Sequence, residues 1–243
     1  WTHGPGSMSP GSNDPSSLQE RETLTAKRPT LRLRAGLIQA IRHFFTEKNY
    51  LEVETPCLIP APAPELHIDA VRGGGVFLHT SPELCMKRLL AAGYPKIFQV
   101  CKCFREGERG QRHLPEFTLL EWYRAGTDYL GLMDECEEMV VFVLKELGLA
   151  SGLEFQGNAL DLKRPWPRVT VQEAFERYAS TSMEEAMASG RFDETMGVEI
   201  EPHLGFPKPV FLYHYPSTLA ALARLSKNAP GFAERFELYV AGV

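Results

Sequence analysis

The stretch KCFREGERGQRHLPEFTLLEWY, residues 102–123, decides how this chain folds. Apolar and polar residues alternate on both sides of a charged loop, in KIFQVCKCF before it and in PEFTLLEWYR after it. Alternation with a period of two is typical of strands, so the two runs predict a long antiparallel hairpin. A simple hairpin turn needs only two residues such as Asn-Gly. This loop instead carries six charged or ionisable residues, namely Arg105, Glu106, Glu108, Arg109, Arg112 and His113.

The composition is that of a globular protein with an apolar core. Of the 243 residues, 44% are hydrophobic and 10% are aromatic, which is enough for one large domain or two small ones. The net charge of -5 provides no global basic field for gripping a long nucleic acid. A small anionic ligand bound by local arginines is compatible with it. No apolar run approaches the roughly 20 residues of a membrane span, so we expect no membrane partner.

Cysteine usage predicts a reduced, cytoplasmic protein. The five cysteines are odd in number and lack the paired C-x-x-C spacing of a zinc site. Cys101 and Cys103 lie two residues apart on one face of the first hairpin strand, and we interpret them as small buried apolar residues. The sequence therefore predicts no metal ligands in the residues present.

The remaining segments predict an α+β fold, an antiparallel sheet flanked by helices. A helix from Leu31 to Lys48 is indicated by Leu37, Ile38, Ile41, Phe44 and Phe45 at helical spacing. Further strands are predicted at YLEVETP, GVFLHT, PVFLYHYP and ERFELYVAG, and further helices at SPELCMKRLLAAGY, DYLGLMDECEEMVVFVLKELG, TVQEAFERYA, SMEEAMASG and STLAALARLS. The predicted helix caps are Ser81, Asp128, Thr170 with Glu173, and Ser182 with Glu185. Residues 1–30 begin with a Gly-, Pro- and Ser-rich run and predict a tag-like, disordered leader, followed by one domain over 31–243.

The second hairpin strand carries an acid where an apolar residue is expected. Phe117, Leu119, Glu121 and Tyr123 share one face of this strand. A carboxylate flanked by Leu, Trp and Tyr is desolvated unless it is paired. Two readings stay open for Glu121: a salt bridge across the sheet, or a carboxylate that binds the ammonium group of a ligand. Tyr123 beside it can donate or accept a hydrogen bond.

Three other positions are candidates for binding. Arg105 is either a solvated loop charge or, fixed at a strand end, a bidentate ligand for phosphate or carboxylate. Phe117 is either a core residue or a ring on which a planar base stacks. Ser81 and Glu83 are either ordinary features of a helix start or part of a small-ligand site at a helix N-terminus. The chain contains neither G-x-x-x-x-G-K-[ST] nor G-x-G-x-x-G, so ATP would bind without those loops.

The hairpin resembles motif 2 of the class II aminoacyl-tRNA synthetases. In that family an arginine after a strand is followed by a loop and by a second strand that opens with R-H-x-P-E-F-T. YLEVETP resembles motif 1, with Pro56 as its proline, and HTSPELCMKRLLAAG resembles the amino-acid-binding segment of the lysyl subgroup. PEFTLLEWY and ERFELYVAG are most similar to the paralogues that attach (R)-β-lysine to a lysine of elongation factor P. The resemblance implies a class II catalytic domain over 31–243.

The resemblance also implies roles for individual residues. Arg105 would be the catalytic residue, contacting the α-phosphate of ATP and the substrate carboxylate. The family has an acid where this chain has Gly107, so either Glu106 or Glu108 would serve ATP. The other implied contacts are His113 and Leu114 at the adenine edge, Phe117 stacked on adenine, Ser81, Pro82 and Glu83 around the substrate amino acid, and Glu121 and Tyr123 at its side-chain ammonium.

The implied activity is ATP- and Mg²⁺-dependent activation of lysine or (R)-β-lysine as an adenylate, with transfer to a lysine of elongation factor P. Motif 1 with Pro56 implies a homodimer. We expect tRNA not to be a partner, because residues 1–30 offer no counterpart of the anticodon-binding barrel of tRNA-charging lysyl enzymes. We also expect motif 3 and half of the ATP site to be absent, because the sequence stops at Val243. The alternatives are a fragment of a tRNA-charging lysyl-tRNA synthetase and a non-catalytic regulatory paralogue.

Overall fold

The structure is a computed structural model that describes residues 15–63, 68–110, 113–149, 152–155 and 157–243. Its helices are α1 Pro15–Ala26, α2 Arg28–Glu47, α3 Glu83–Ala91, α4 Tyr129–Glu146, α5 Val171–Tyr178, α6 Met183–Ala188 and α7 Phe192–Thr195. Its strands are β1 Leu51–Glu52, β2 Leu58–Ile59, β3 Arg72–Gly73, β4 Val76–Leu78, β5 Lys96–Phe104, β6 Glu116–Arg124, β7 Leu153–Phe155, β8 Asn158–Leu160, β9 Arg168–Thr170, β10 Val210–Pro216 and β11 Phe232–Tyr239. Short helical turns follow α7 and β10. None of the described helices is both long and apolar enough to cross a membrane.

The predicted hairpin is confirmed as the antiparallel pair β5 and β6, nine residues each. Gln99 lies opposite Glu121, and Cys103 lies opposite Phe117. The short strand β1 joins β5 in parallel. One face of the hairpin packs against α2 through an aromatic cluster that includes Phe45, Phe98 and Trp122. The other face carries the predicted site residues Phe117, Glu121 and Tyr123, and helix α3 contacts both strands of the hairpin.

A second sheet, in the order β11-β10-β9, forms with the C-terminal half of the chain. β10 pairs antiparallel with β11 and parallel with β9. Helices α5 to α7 bury their apolar residues against it, around Phe175, Ile200 and Leu212. The two predicted capping boxes at the starts of α5 and α6 are confirmed. The α+β fold class predicted from the sequence is also confirmed.

Helix α4 connects the two sheets. Its predicted cap is confirmed, because the Asp128 carboxylate accepts a hydrogen bond from the Gly131 backbone N–H at 3.0 Å. One side of α4 packs on α2, and the other contributes Met133 to a cluster with Trp166 and Phe211 of the second half. Helix α4 thus links the hairpin half of the chain to the second sheet.

Two predictions about secondary structure are wrong. Residues from Pro15 onward are helical, where a disordered leader was predicted, since the run contains Leu, Gln, Glu and Arg, which favour helices. In STLAALARLS only Ser217–Leu219 form a helical turn. Beyond it, Ala221 has a φ of 49°, which ends the turn. Leu222 and Leu225, beyond the turn, are exposed, so no apolar face holds a helix there, and packing supplies most of a helix's stability. Residues 1–14 of the predicted leader lie outside the described residues.

Candidate functional site

The free face of the hairpin gathers residues that are far apart in sequence. Ser81 follows β4, and Glu121 and Tyr123 lie within β6. The Ser81 hydroxyl donates a hydrogen bond to Glu121 Oε1 at 2.5 Å, and the Tyr123 hydroxyl donates one to Glu121 Oε2 at 2.7 Å. Both carboxylate oxygens therefore face hydroxyl donors, as a binding carboxylate requires.

Glu121 lies in no ion pair with any residue that the structure describes. Burial raises the pKa of Glu121 above its usual range, although hydrogen bonds from Ser81 and Tyr123 oppose the shift. The nearby Glu83 carboxylate raises this pKa further. A half-buried carboxylate with two donors and an acid as neighbour is short of positive charge. Of the two readings of Glu121, the site for an ammonium group fits this environment.

The start of α3 supplies the second acid. The Glu83 backbone N–H donates to Ser81 Oγ at 3.0 Å, and the Ser81 hydroxyl donates to Glu121, but Ser81 is not the capping residue that the sequence predicted. Helix α3 begins at Glu83, one residue later than predicted, because Pro82 is its capping position. Glu83 forms an ion pair with Lys87, one turn along α3. Its charge also raises the pKa of Tyr123, behind the effect of burial and of Glu121. The carboxylates of Glu83 and Glu121 therefore both place negative charge near the Tyr123 hydroxyl.

Arg105 is held in place at the end of β5. Its backbone N–H donates to the Pro115 carbonyl at 2.9 Å, and its Nε donates to the Thr80 carbonyl at 3.5 Å. Its guanidinium lies 5.0 Å from the centroid of the Phe117 ring. Arg105 and Phe117, predicted to bind phosphate and base, thus lie in contact. Adenine stacking on that same face of Phe117 requires Arg105 to move.

The loop between β5 and β6 distinguishes the two candidate acids. Glu108 Oε1 lies 3.7 Å from Arg105 Nη1, whereas Glu106 is exposed and donates its backbone N–H to the Asp69 carbonyl at 2.8 Å. Gly107 has a φ of 76°, a conformation that favours glycine over the acid expected there. Only Glu108, of these two, contacts the arginine. Arg112 lies outside the described residues.

The other predicted residues lie around this face or apart from it. Pro82 is buried at the start of α3, while His113 and Leu114 are exposed beyond the loop. Pro56 is exposed and lies beside Cys85 and Arg88 at a separate cavity of about 410 Å³. The structure therefore brings together Ser81, Pro82, Glu83, Glu121 and Tyr123, and, at the hairpin end, Arg105, Glu108 and Phe117.

Comparison with known families decides what kind of protein this is. A family model of the class II tRNA synthetases (D, K and N) matches residues 21–243. The chain belongs to the class II tRNA synthetase family. The resemblance, the fold class and the ligase type predicted from the sequence are confirmed at this level.

Three curated relatives of this class II synthetase chain carry the same name, "Elongation factor P--(R)-beta-lysine ligase". The relative from Vibrio cholerae is 37% identical over 235 residues, which cover 90% of this chain and 72% of the relative. The relative from Klebsiella pneumoniae is 37% identical over 234 residues, which cover 88% and 71%. The relative from Salmonella gallinarum is 37% identical over 236 residues, which cover 90% and 72%.

One cluster in this class II synthetase chain was missed by sequence reasoning. His79 lies just after β4, and its side chain meets Cys101 and Cys103 of β5. The Cys101 and Cys103 sulfurs are 3.8 Å apart, and the Cys103 sulfur is 4.0 Å from His79 Nε2. Hydrogen bonds from Cys103 and His79 lower the pKa of the Cys101 thiol to about 5. The predicted burial of Cys103 is confirmed, but Cys101 is only half-buried. Strand parity indicated the two cysteines, whereas no local pattern indicated His79.

The site suits ATP better than it suits Mg²⁺. Arg105 and Phe117 provide a cation for phosphate and a ring for a base. Mg²⁺ prefers oxygen ligands. Among the residues that the structure describes, the one converging group of three potential metal ligands is His79, Cys101 and Cys103. No three carboxylates among the described residues converge as that group does.

Two cavities define the surroundings. One of about 240 Å³ borders Glu121 and Tyr123 and is closed by Leu132 and Phe236, which come from α4 and β11. A wider one, of about 520 Å³, lies between α4 and the residues after β8. None of the predicted site residues lines the wider cavity. The predicted site residues Glu121 and Tyr123 therefore border the smaller of these two cavities.

Proposed function

We propose that this chain activates lysine or (R)-β-lysine with ATP and transfers the aminoacyl group to a lysine side chain of elongation factor P. The observation that carries the proposal is Glu121, which receives two hydroxyl hydrogen bonds and lies in no ion pair with the described residues. The names of the three relatives support the same substrate and acceptor.

The two acids suit a substrate with two ammonium groups. Lysine and β-lysine each carry a side-chain ammonium and a second ammonium near the carboxylate. Glu121 and Tyr123 would receive the first, and Glu83, beside Ser81 and Pro82, would receive the second. A carboxylate that is partly desolvated without a cation gains most when a ligand brings one. The site would then select lysine because the ammonium groups of lysine supply the positive charge that Glu121 has no partner for among the described residues.

Arg105 would act at the reacting atoms. A substrate carboxylate oxygen attacks the α-phosphorus of ATP, the bond to the β-phosphate oxygen breaks, and pyrophosphate leaves with the electron pair. The carboxylate is already ionised, so this step needs orientation and charge neutralisation rather than a proton-transfer residue. The guanidinium would stabilise the charge on the phosphate oxygens, and Glu108 would hold the guanidinium in position.

The remaining ATP contacts follow the family resemblance. Phe117 would stack on adenine after Arg105 moves off its ring, and the backbone at His113 and Leu114 would contact the adenine edge. Glu106 and Gly107 would shape the loop. Mg²⁺ would arrive bound to ATP.

In the second step the ε-amine of the acceptor lysine attacks the carbonyl carbon of the adenylate. The amine loses a proton, an amide bond forms, and AMP leaves. A second candidate acceptor is tRNA, because the family model is that of tRNA synthetases. The net charge of -5 disfavours that acceptor, since tRNA binding relies on contacts between cations and phosphates.

Dimer formation and cellular location are part of the same proposal. Helix α2 exposes apolar side chains at Leu31, Leu33 and Leu37, which a twofold partner would cover. Pro56 would lie at this interface. All five cysteines are free, as a reducing cytoplasm would keep them. Sedimentation equilibrium should give twice the mass of the chain, and a monomer at micromolar concentration would contradict the dimer.

The activity is tested by ATP–pyrophosphate exchange with lysine and with (R)-β-lysine, followed by transfer to elongation factor P or to tRNA. We expect exchange with one of the two amino acids and modification of elongation factor P. Arg105→Ala should lower exchange about 100- to 1,000-fold, as the loss of a charge-stabilising donor does in other enzymes. The matched control is Arg109→Ala in the same exposed loop, which should leave exchange unchanged. Charging of tRNA without modification of elongation factor P would refute the proposed acceptor.

A further inference from the structure

We propose that His79, Cys101 and Cys103 form a binding site for one Zn²⁺ ion. The inference is independent of the proposed aminoacylation, since none of these residues has a part in that reaction. Zn²⁺ binds well to two thiolates and an imidazole, whereas Mg²⁺ and Ca²⁺ prefer oxygen ligands.

The distances agree with a tetrahedral ion. Two sulfurs that each lie about 2.3 Å from a tetrahedral Zn²⁺ are about 3.8 Å apart. The Cys101 and Cys103 sulfurs are 3.8 Å apart. A sulfur and an imidazole nitrogen around the same ion are about 3.6 Å apart. His79 Nε2 lies 4.0 Å from the Cys103 sulfur, and all three ligand atoms lie within 4.8 Å of one another. Binding would therefore draw the imidazole toward the two sulfurs by about 1 Å or less.

The backbone holds the three ligands before any ion binds. Cys101 and Cys103 share one face of β5 because they are two residues apart on a strand. The His79 backbone N–H donates to the Cys57 carbonyl at 2.9 Å, and the His79 carbonyl accepts from the Phe104 N–H at 3.0 Å. His79 is 1% exposed and Cys103 is 0% exposed, so two of the three ligands cannot move freely. Such rigid placement lowers the ordering cost of binding.

A fourth ligand is available beside Cys101. Gln99 precedes Cys101 by two residues on the same face of β5 and is 2% exposed. Its Oε1 is buried and has no hydrogen-bond partner among the described residues. A buried carbonyl oxygen without a partner is costly, and coordination to the ion would satisfy it.

The proton balance of binding is defined by the groups present. Both sulfurs would bind as thiolates, and a proton still held by either thiol would pass to solvent. In the ion-free chain His79 Nε2 donates to the Lys102 carbonyl at 2.6 Å. This hydrogen bond would break, and the imidazole proton would move to Nδ1. A disulfide is the competing chemistry, but its sulfurs must approach to about 2.05 Å, which bends a strand that pairs with β6 at both cysteines.

The test is titration of the reduced protein with Co²⁺, which reports thiolate ligands by charge-transfer absorption in the near ultraviolet. We expect saturation at one ion per chain, absorption of the intensity given by two thiolates, and displacement by one equivalent of Zn²⁺. A double variant with Cys101→Ser and Cys103→Ser should lose the absorption. The matched control with Cys57→Ser and Cys85→Ser should keep it. Absence of the absorption in the unmodified chain, or its persistence in the first variant, would overturn the proposal.

A second measurement does not depend on how the variants fold. In the unmodified protein, Zn²⁺ should slow alkylation of Cys101 by iodoacetamide, as mapped by mass spectrometry of peptides. The exposed Cys57 serves as the internal control and should react at the same rate with and without the ion. Equal rates for Cys101 with and without Zn²⁺ would contradict the site.

Discussion

Glu121 is half-buried and Glu135 and Glu137 are buried, and the surroundings of these three glutamates differ in one respect. Glu135 and Glu137 of α4 are 3% and 2% exposed. Glu135 lies 3.4 Å from Arg124 and accepts a hydrogen bond from Tyr50 at 2.5 Å. Glu137 lies 3.5 Å from Arg164 and accepts one from the Trp166 backbone N–H at 2.6 Å. Each of these acids finds its cation within the chain.

Glu121 is equally well supplied with hydrogen-bond donors but not with a cation. Ser81 and Tyr123 donate to its two oxygens, and no described residue forms an ion pair with it. The acids of α4 therefore stabilise the fold, because their charges are neutralised whether or not a ligand is present. The acid of β6 leaves a deficit of positive charge, which a ligand can fill. The comparison separates a structural acid from a binding acid by the charge around it rather than by burial.

The largest effect should follow Glu121→Gln. The variant keeps the shape and one acceptor oxygen but loses the charge, so kcat/KM for the amino acid in ATP–pyrophosphate exchange should fall roughly 30-fold or more, the range for breaking a buried charged contact. The matched control is Glu116→Gln on the solvent-exposed part of the same strand, which should change kcat/KM less than twofold. Equal losses in both variants would remove Glu121 from the site.

Glu137→Gln should have the opposite profile. Removal of the charge that faces Arg164 and Trp166 should lower the free energy of unfolding by about 1–3 kcal/mol, without changing the affinity for lysine. Urea denaturation measures the first quantity and calorimetry the second. Glu146→Gln, near the exposed end of the same helix, should change stability by about 0.5 kcal/mol or less. A stable Glu137→Gln variant would show that the buried pair in α4 is not structural.

Glu121→Gln should also raise the stability of the ligand-free chain by about 0.5–2 kcal/mol, the usual range for relieving an unfavourable active-site group. The folded state disfavours the ionised form of Glu121 because burial raises its pKa above that of the unfolded chain. The charge of the ionised carboxylate is therefore a penalty on folding, and the amide variant avoids it. Thermal unfolding without ligand measures the gain. A lower melting temperature for the variant would contradict the charge deficit.

The smallest effect is a dependence of binding on pH. Ammonium binding needs ionised Glu121, and the raised pKa of this carboxyl places its protonation above the usual range of a glutamate. Affinity for lysine should therefore fall as the pH is lowered through that raised pKa. In the ligand-free chain, stability should fall as the pH rises through the same window, since the folded state holds the proton more tightly. Both slopes should vanish in Glu121→Gln, and a slope that persists would assign the titration to another group.

Sequence patterns predicted the parts of this molecule that depend on local spacing. The period of two placed Glu121, Tyr123 and Phe117 on one face of β6, and the capping residues marked the starts of α4, α5 and α6. The desolvation of Glu121 also followed from its neighbours in the strand. Family resemblance supplied the roles of Arg105 and Glu83, which spacing alone left open.

The features that sequence reasoning missed depend on contacts between distant segments. The salt-bridge partners of Glu135 and Glu137 are Arg124 and Arg164, which lie outside α4, so no spacing within the helix predicted these pairs. His79 meets Cys101 only because β4 leads to the end of β5. The segment after Ser217 has helical composition, but its backbone pairs with β11, where the Glu234 N–H donates to the Arg224 carbonyl at 2.8 Å.

The central claim is that Glu121 selects a substrate by its side-chain ammonium. Equilibrium binding of lysine, (R)-β-lysine and norleucine to the unmodified protein and to Glu121→Gln tests it most directly, because norleucine matches lysine without the terminal ammonium. The account predicts that the unmodified protein binds one of the two lysines at least about 30-fold more tightly than norleucine, and that this preference disappears in the variant. A preference of the same size in both proteins would contradict it.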